Sequence, residues 1–280
     1  MTYPGTLLKT WKLYSKKQMG QNFLSDPSTA KMIVSRSNIS NDDIVLEIGS
    51  GLGALTIPVS MIANTIYAVE KDTQLLPLLQ SELLMAKVNN VEVINCDILK
   101  FNIASLFKEK KIVVMGNLPY NISSQILVKL IVARTMVKKA VFMFQKELAQ
   151  RITAPPGSRA YGRLSVALQY CADIRTIASV KSDLFYPKPK VDSEVIEIIF
   201  KDKIDFPAND EQLFLNVIKA AFGKRRKTLK NALAGSELKL TIEVILKALE
   251  DAQIDYKRRA ETLSVNEFTM LSNCLKEQNL

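Results

Sequence analysis

Ile44-Val45-Leu46-Glu47-Ile48-Gly49-Ser50-Gly51-Leu52-Gly53 is a short apolar run, broken by one acid, that leads into three alternating glycines. It reads as a buried strand ending in a tight turn, because glycine lets a backbone turn sharply and approach a ligand closely. Outward from it, further strands are predicted at 65–70, 91–97, 111–116 and 140–145. Helical candidates lie between them near 53–63, 72–88 and 121–136. Strand–helix alternation at this spacing implies an α/β fold with a parallel sheet covered on both faces. Two later β-type runs, at 173–180 and 192–200, flank a Pro-rich loop and are expected to form a hairpin at one sheet edge. That makes seven strands, most of them parallel. The polar segment 201–209 reads as a linker. Beyond it the pattern is helical only, at 210–222, 224–234, 240–252 and 264–277, with Asp210 and Ser264 as helix caps. Two domains are expected, 1–203 and a small all-α domain at 204–280.

Charge narrows the class of partner. The 280 residues carry 38 Lys and Arg against 28 Asp and Glu, a net +10. An excess of this kind favours a polyanion. It is concentrated: Lys9, Lys12, Lys16 and Lys17 fall in the first twenty residues without an acid. Lys224, Arg225, Arg226, Lys227 and Lys230 fall in seven, again without one. Such clusters neutralise phosphates; the plainer reading is a solvated helix face. The three cysteines, Cys96, Cys171 and Cys274, are widely spaced and form neither a metal pattern nor a disulfide framework. With no membrane-length apolar run and no signal-type N-terminus, a cytoplasmic monomer without metal is expected. The chain has no histidine. Ser-His-Asp, Cys-His and His-zinc chemistries are therefore excluded.

The glycine turn alone also fits a looser dinucleotide pattern, Gly49-x-Gly51-x-x-Ala54, so a nicotinamide cofactor is an alternative. Two acids extend the pattern. Glu70 ends the second strand, where a carboxylate can accept from both ribose hydroxyls, and Asp97 ends the third, where it can accept from an adenine amine. Each acid taken alone could merely cap the next helix. At the end of the fourth strand stands Asn117-Leu118-Pro119-Tyr120. A strand end and a Pro turn do not account for an amide and an aromatic ring side by side at a ligand crevice. Methylation of an exocyclic base amine does. Its lone pair is delocalised into the ring, and two acceptors on its N–H groups localise it. The Asn117 side-chain oxygen and the Leu118 carbonyl, held by the fixed φ of Pro119, can be those acceptors. Tyr120 can stack on the base. Displacement at an activated methyl needs positioning more than an acid or base, which suits a chain without histidine.

Several motifs in order resemble the ribosomal RNA adenine dimethyltransferases, from about residue 16 to 275. They are Gly20-Gln21-Asn22-Phe23-Leu24, the turn at 49–53, the stretch 117–124, Tyr161-Gly162-Arg163-Leu164-Ser165, the stretch 185–193 (FYPKPKVDS) and the stretch 222–229 (FGKRRKTL). The resemblance is strongest to the bacterial small-subunit branch. It implies a class I, Rossmann-like methyltransferase fold with a helical C-terminal domain that binds RNA or the ribosome. It also implies S-adenosyl-L-methionine as cofactor, S-adenosyl-L-homocysteine as product, and dimethylation of N6 in two adjacent adenosines near the 3′ end of small-subunit rRNA, within a pre-ribosomal particle. Carried over by motif, Asn22, Leu24, Gly49 and Gly51 would line the cofactor pocket. Glu70 would hold the ribose, Asp97 would lie near the cofactor adenine, and Asn117 would face the methyl group. Phe185 would stack on the target base opposite Tyr120; the alternative is a core residue before a Pro turn. Lys16, Lys17, Arg163, Lys188, Lys190, Lys224, Arg225, Arg226 and Lys227 are the expected RNA contacts. The rivals are a macrolide-resistance enzyme of the large subunit, a DNA adenine methyltransferase with a related motif, and a non-enzymatic assembly factor on the same fold.

Overall fold

A computed structural model describes residues 2–106, 110–119 and 121–278. Seven strands form one sheet in the order β4-β3-β2-β5-β6-β9-β7. In chain order these are β2 (Ile44–Ile48), β3 (Thr65–Glu70), β4 (Val91–Asn95), β5 (Ile112–Asn117), β6 (Val137–Gln145), β7 (Ala172–Val180) and β9 (Ser193–Phe200). Pairings β4·β3, β3·β2, β2·β5 and β5·β6 are parallel, and β6·β9 is antiparallel. Two residues each from β1 (Phe23–Leu24) and β8 (Phe185–Tyr186) make a separate antiparallel ribbon, Phe23 opposite Tyr186 and Leu24 opposite Phe185.

The central strand explains the arrangement. Val45, Leu46 and Ile48 are at most 1% exposed. A run apolar on both faces is stable only between two other strands and under helices on both sides. β2 and β3 fall at the expected limits, and the two late runs lie side by side at the β6 edge. Gly116 explains how closely β5 approaches β2: a Cβ there would sit 2.3 Å from the Ile48 carbonyl oxygen.

The expected helices are present but shorter: α3 (Thr56–Ser60), α4 (Leu76–Met85) and α5 (Ser123–Val132). Two helices near the start were not anticipated. α1 (Pro4–Thr10) buries Leu7 and Leu8 in a cluster with Phe23, Leu52, Leu75 and Leu78. α2 (Pro27–Arg36) begins with Asp26 as N-cap, accepting from the Thr29 N–H at 2.8 Å, and Pro27 at its first position.

The chain divides into two compact units, Met1–Ala149 with Asp173–Phe200, and Gln150–Ala172 with Lys201–Leu280. The second unit thus includes α7 (Arg163–Cys171) as well as α8 (Glu211–Gly223), α9 (Leu229–Ala234), α10 (Ile242–Asp251) and α11 (Val265–Glu277). A linear boundary at 203/204 leaves α7 in the first domain; by contacts it groups with α8 and α11. Phe214, Val217, Leu233, Ile245, Phe268 and Leu271 form its buried interior. Asp210 caps α8 by accepting from the Leu213 N–H at 2.9 Å, and Ser264 and Glu267 form a reciprocal capping box on α11. The basic run 224–227 is an exposed turn between α8 and α9 rather than the first turn of a helix, since α9 starts only at Leu229.

Candidate active site

The glycine turn after β2 needs its glycines. Gly49, Gly51 and Gly53 have φ of +72°, +54° and +86°, a region that costs residues with a Cβ. The N–H groups of Gly49 and Ser50 both donate to the Val69 carbonyl, fixing the turn to the end of β3. Glu70 closes it: Oε2 accepts from the Gly51 N–H at 2.9 Å and Oε1 from the Asp72 N–H at 2.8 Å. Each carboxylate oxygen has a second lone pair, so both remain able to accept from a ribose. Burial raises the Glu70 pKa, opposed by these two backbone donors.

Asp97, just past β4, stays ionised. Its pKa is lowered chiefly by the Lys71 ammonium 2.8 Å away, with help from the Leu99 N–H. Glu70, Asp97, Gly49 and Gly51 border one cleft with Asn22, Leu24 and Asn117, a space of about 1120 Å³ including its open mouth. The donor set fits S-adenosylmethionine: a carboxylate pair for hydroxyl and amine donors, and a glycine turn that lets the ligand lie against the backbone.

Asn117 ends β5 at this cleft. Its Nδ2 donates to the Asn22 carbonyl at 2.8 Å. A carbonyl only accepts, so the amide nitrogen must face Asn22, which leaves Oδ1 as the free acceptor end. Leu118 is buried and its N–H donates to the Met143 carbonyl. The Pro119 carbonyl receives the Ile122 N–H and, at 2.8 Å, the Ser123 hydroxyl, which secures the turn into α5. Tyr120 lies outside the described residues.

Phe185 departs from its expected role. It is 4% exposed and packs in the cluster that holds Leu24 and Met143, so its ring is in the core and not at the cleft. Strand alternation turns its neighbour Tyr186 outward instead. Lys16 also differs: its ammonium pairs with Asp72 at 2.7 Å. Lys17, Arg163, Lys188, Lys190, Lys224, Arg225, Arg226 and Lys227 are exposed, and Arg225 donates to the Arg159 carbonyl. Among the described residues no cluster of three His, Cys, Asp or Glu could hold a metal, and no helix is long and apolar enough to cross a membrane.

Sequence reasoning passed over Glu47. It borders the cleft at 2% exposure, and Oε2 has no hydrogen-bond partner among the described residues. Burial pushes its carboxyl up to about 8, moderated by Thr56 and reinforced by the Glu70 charge. An unfolded glutamate titrates near 4.5. Below that pH both states are neutral; as pH rises toward 8 the native state alone resists ionisation, and stability is lost. Glu47→Gln, neutral at every pH, is expected to raise the melting temperature of the cofactor-free protein at pH 8–9. The gain, on the order of a few kcal/mol at most, should vanish toward pH 4. Thermal scans across that range check it; a constant difference at all pH values would contradict the assignment.

A glycine turn, a buried carboxylate and an amide at strand ends of a parallel sheet fit a class I, S-adenosylmethionine-dependent methyltransferase. The chain belongs to the ribosomal RNA adenine dimethylase family, whose model matches residues 13–276. It is 55% identical to the ribosomal RNA small subunit methyltransferase A of Desulforapulum autotrophicum, covering 98% of this chain and 97% of that one. It is 41% identical to the protein of the same name from Clostridioides difficile, covering 92% and 90%. Among solved structures it resembles a dimethyladenosine transferase from Plasmodium falciparum, with a TM-score of 0.77 and 28% identity, covering 89% and 95%. The fold is also that of the 23S rRNA methyltransferase ErmE, with a TM-score of 0.70 and 23% identity, covering 91% and 99%.

Proposed function

We propose that this enzyme dimethylates N6 of two adjacent adenosines near the 3′ end of small-subunit (16S-type) rRNA, acting as a monomer on a pre-ribosomal small subunit in the cytoplasm and without metal. The observation that carries the chemistry is the Asn117 amide, whose nitrogen is committed to Asn22 and whose oxygen is left for a substrate N–H. Similarity to proteins named for the small subunit supports that choice of RNA over the large subunit.

The chain's own residues orient and desolvate. Asn117 Oδ1 and the Leu118 carbonyl accept the two N–H bonds of the target amine and draw its lone pair out of conjugation. Pro119 fixes the direction of that carbonyl. Tyr120 stacks on the base, which must leave its helix to reach the cleft. Glu70 holds the ribose hydroxyls and Asp97 the adenine amine of the cofactor. When bound, S-adenosylmethionine supplies an electrophilic methyl group. The proton released from the amine passes to water, since the chain has no imidazole to take it.

Lys17, Arg163, Lys188, Lys190 and the turn Lys224–Lys227 contact phosphate, and the helical C-terminal domain serves as the RNA- or ribosome-binding module. Arg225→Glu with Arg226→Glu is expected to weaken RNA binding at least tenfold and to flatten its salt dependence by roughly one unit of log–log slope per lost phosphate contact. Filter binding between 50 and 200 mM salt measures this. Methylation assays on small- and large-subunit particles test the substrate, with mass spectrometry of the product adenosines. Dimethyladenosine confined to the large subunit would sink the assignment.

A further inference from the structure

Residues 16–24 form a strap along one wall of the cofactor cleft, contributing Gly20, Gln21, Asn22 and Leu24 to its lining. A single carboxylate holds the start of this strap. Asp72 is 3% exposed. Its Oδ1 accepts from the Lys16 ammonium at 2.7 Å and its Oδ2 from the Gln21 side-chain amide at 2.8 Å. The other end of that amide, Gln21 Oε1, accepts from the Lys16 backbone N–H at 2.7 Å, closing the loop of the strap on itself. Asp72 is in turn fixed to the cofactor site, because its own N–H donates to Glu70 Oε1. At the far end of the same strap, the Asn22 carbonyl takes the Asn117 amide.

We propose that Asp72 is a positioning residue: by latching Lys16 and Gln21 it holds the Asn22 carbonyl where it orients the Asn117 amide for methyl transfer. The inference rests on Asn117 being at the methyl-transfer centre. The simpler role for Asp72, stabilising its own turn, is also present, since Oδ1 accepts from the Gln74 N–H at 3.2 Å. That role does not require the two shorter bonds to a segment more than fifty residues away in sequence. Burial alone would raise the Asp72 pKa, yet the Lys16 and Gln21 hydrogen bonds outweigh it and lower it, so the latch is ionised at neutral pH. Residues 16–22 lack the strand pairing that holds Phe23 and Leu24 against β8: Lys17–Met19 is one short 3₁₀ turn, and Gly20 is left-handed with φ +65°.

The test uses the full chain and three variants. Asp72→Asn keeps the shape and loses the charge. Gln21→Ala removes the partner from the half-buried strap. Asp72→Asn combined with Gln21→Glu swaps amide and carboxylate, so the bond can form with its polarity reversed. Four quantities are read: kcat on small-subunit particles at saturating cofactor, affinity for S-adenosylhomocysteine by calorimetry, tryptic cleavage after Lys16 and Lys17, and melting temperature. Each single variant is expected to lower kcat about tenfold or more, with a smaller loss of affinity and faster cleavage, at a melting temperature near that of the parent. The swap should recover a large part of kcat and of the protection. Gln21→Ala with parental stability, turnover and cleavage would overturn the latch whatever Asp72→Asn does, as would a stable swap that restores neither readout. Cleavage and affinity are read without RNA. Retained turnover in an Asn117→Ala enzyme would therefore refute the placement of Asn117 while leaving the latch measurable.

Discussion

Asn117→Ala is expected to lower methyl transfer about a thousandfold while S-adenosylhomocysteine binding changes only a few-fold. The magnitude follows from losing one preorganised partner of the reacting group, worth about 10²–10³ in rate elsewhere. The separation of effects follows from the geometry. In the proposed reading the cofactor is held chiefly by Glu70, Asp97 and the glycine turn, at the ends of β2 and β3 and after β4, whereas Asn117 borders the same cleft from the end of β5. Single-turnover rates at saturating cofactor, with calorimetry on the same preparations, measure both. A variant that loses binding and turnover in proportion would place Asn117 in the cofactor site alone. Asn117→Asp sharpens the case. It restores an acceptor toward the amine, yet it sets a carboxylate against the Asn22 carbonyl, two acceptors with no proton between them. Turnover should recover only partly, and less at high pH than at low.

Gly116→Ala carries the second large effect. The added carbon would lie 2.3 Å from the Ile48 carbonyl oxygen and 3.2 Å from its carbon, both backbone atoms of the adjacent strand. No rotamer change relieves this, so β2 and β5 must part where their parallel register runs Val45–Val113, Leu46–Val114 and Glu47–Met115. The cost should be about 3 kcal/mol or more, at the upper end of overpacking penalties. Urea unfolding would show a lower midpoint with an unchanged slope. Because Ile48 precedes Gly49 and Gly116 precedes Asn117, the folded fraction should also bind cofactor more weakly. A variant with parental stability would mean that the strands are farther apart than the structure has them.

What the sequence discloses divides along physical lines. Strands β2 and β3 are legible to the residue because each is a short apolar run closed by polar loops or, for β2, by a glycine turn. Asp210 and Ser264 were legible because capping needs a particular side chain at a particular place. The seven residues of α1 are too few for a periodic pattern, whereas Asp26-Pro27 is a start signal for α2 that the sequence does carry. Phe185 shows another limit. In a two-residue strand one of two aromatics faces inward, and composition does not say which; pairing with Leu24 and Phe23 decides it. The basic run was visible as charge, but nothing in it announced a turn instead of a helix. The partner of Asn117 could not have been read at all, since it is a backbone carbonyl, which every residue possesses.

The ribbon of β1 and β8 has a bearing on synthesis. The Ser25 hydroxyl and N–H both donate to the Leu184 carbonyl, 159 residues downstream. One set of partners of the stretch that leaves the ribosome first is therefore made only after a further 159 residues. Until about two-thirds of the polypeptide has emerged, β2, β3 and β5 can associate and Gln21 and Asn22 can meet Asp72 and Asn117, but Phe23 and Leu24 lack their strand partners in β8. Contacts so distant along the chain form slowly. In a nascent enzyme the cofactor crevice would thus lack this ribbon after β2, β3 and β5 have emerged, and its wall would be completed only with β8.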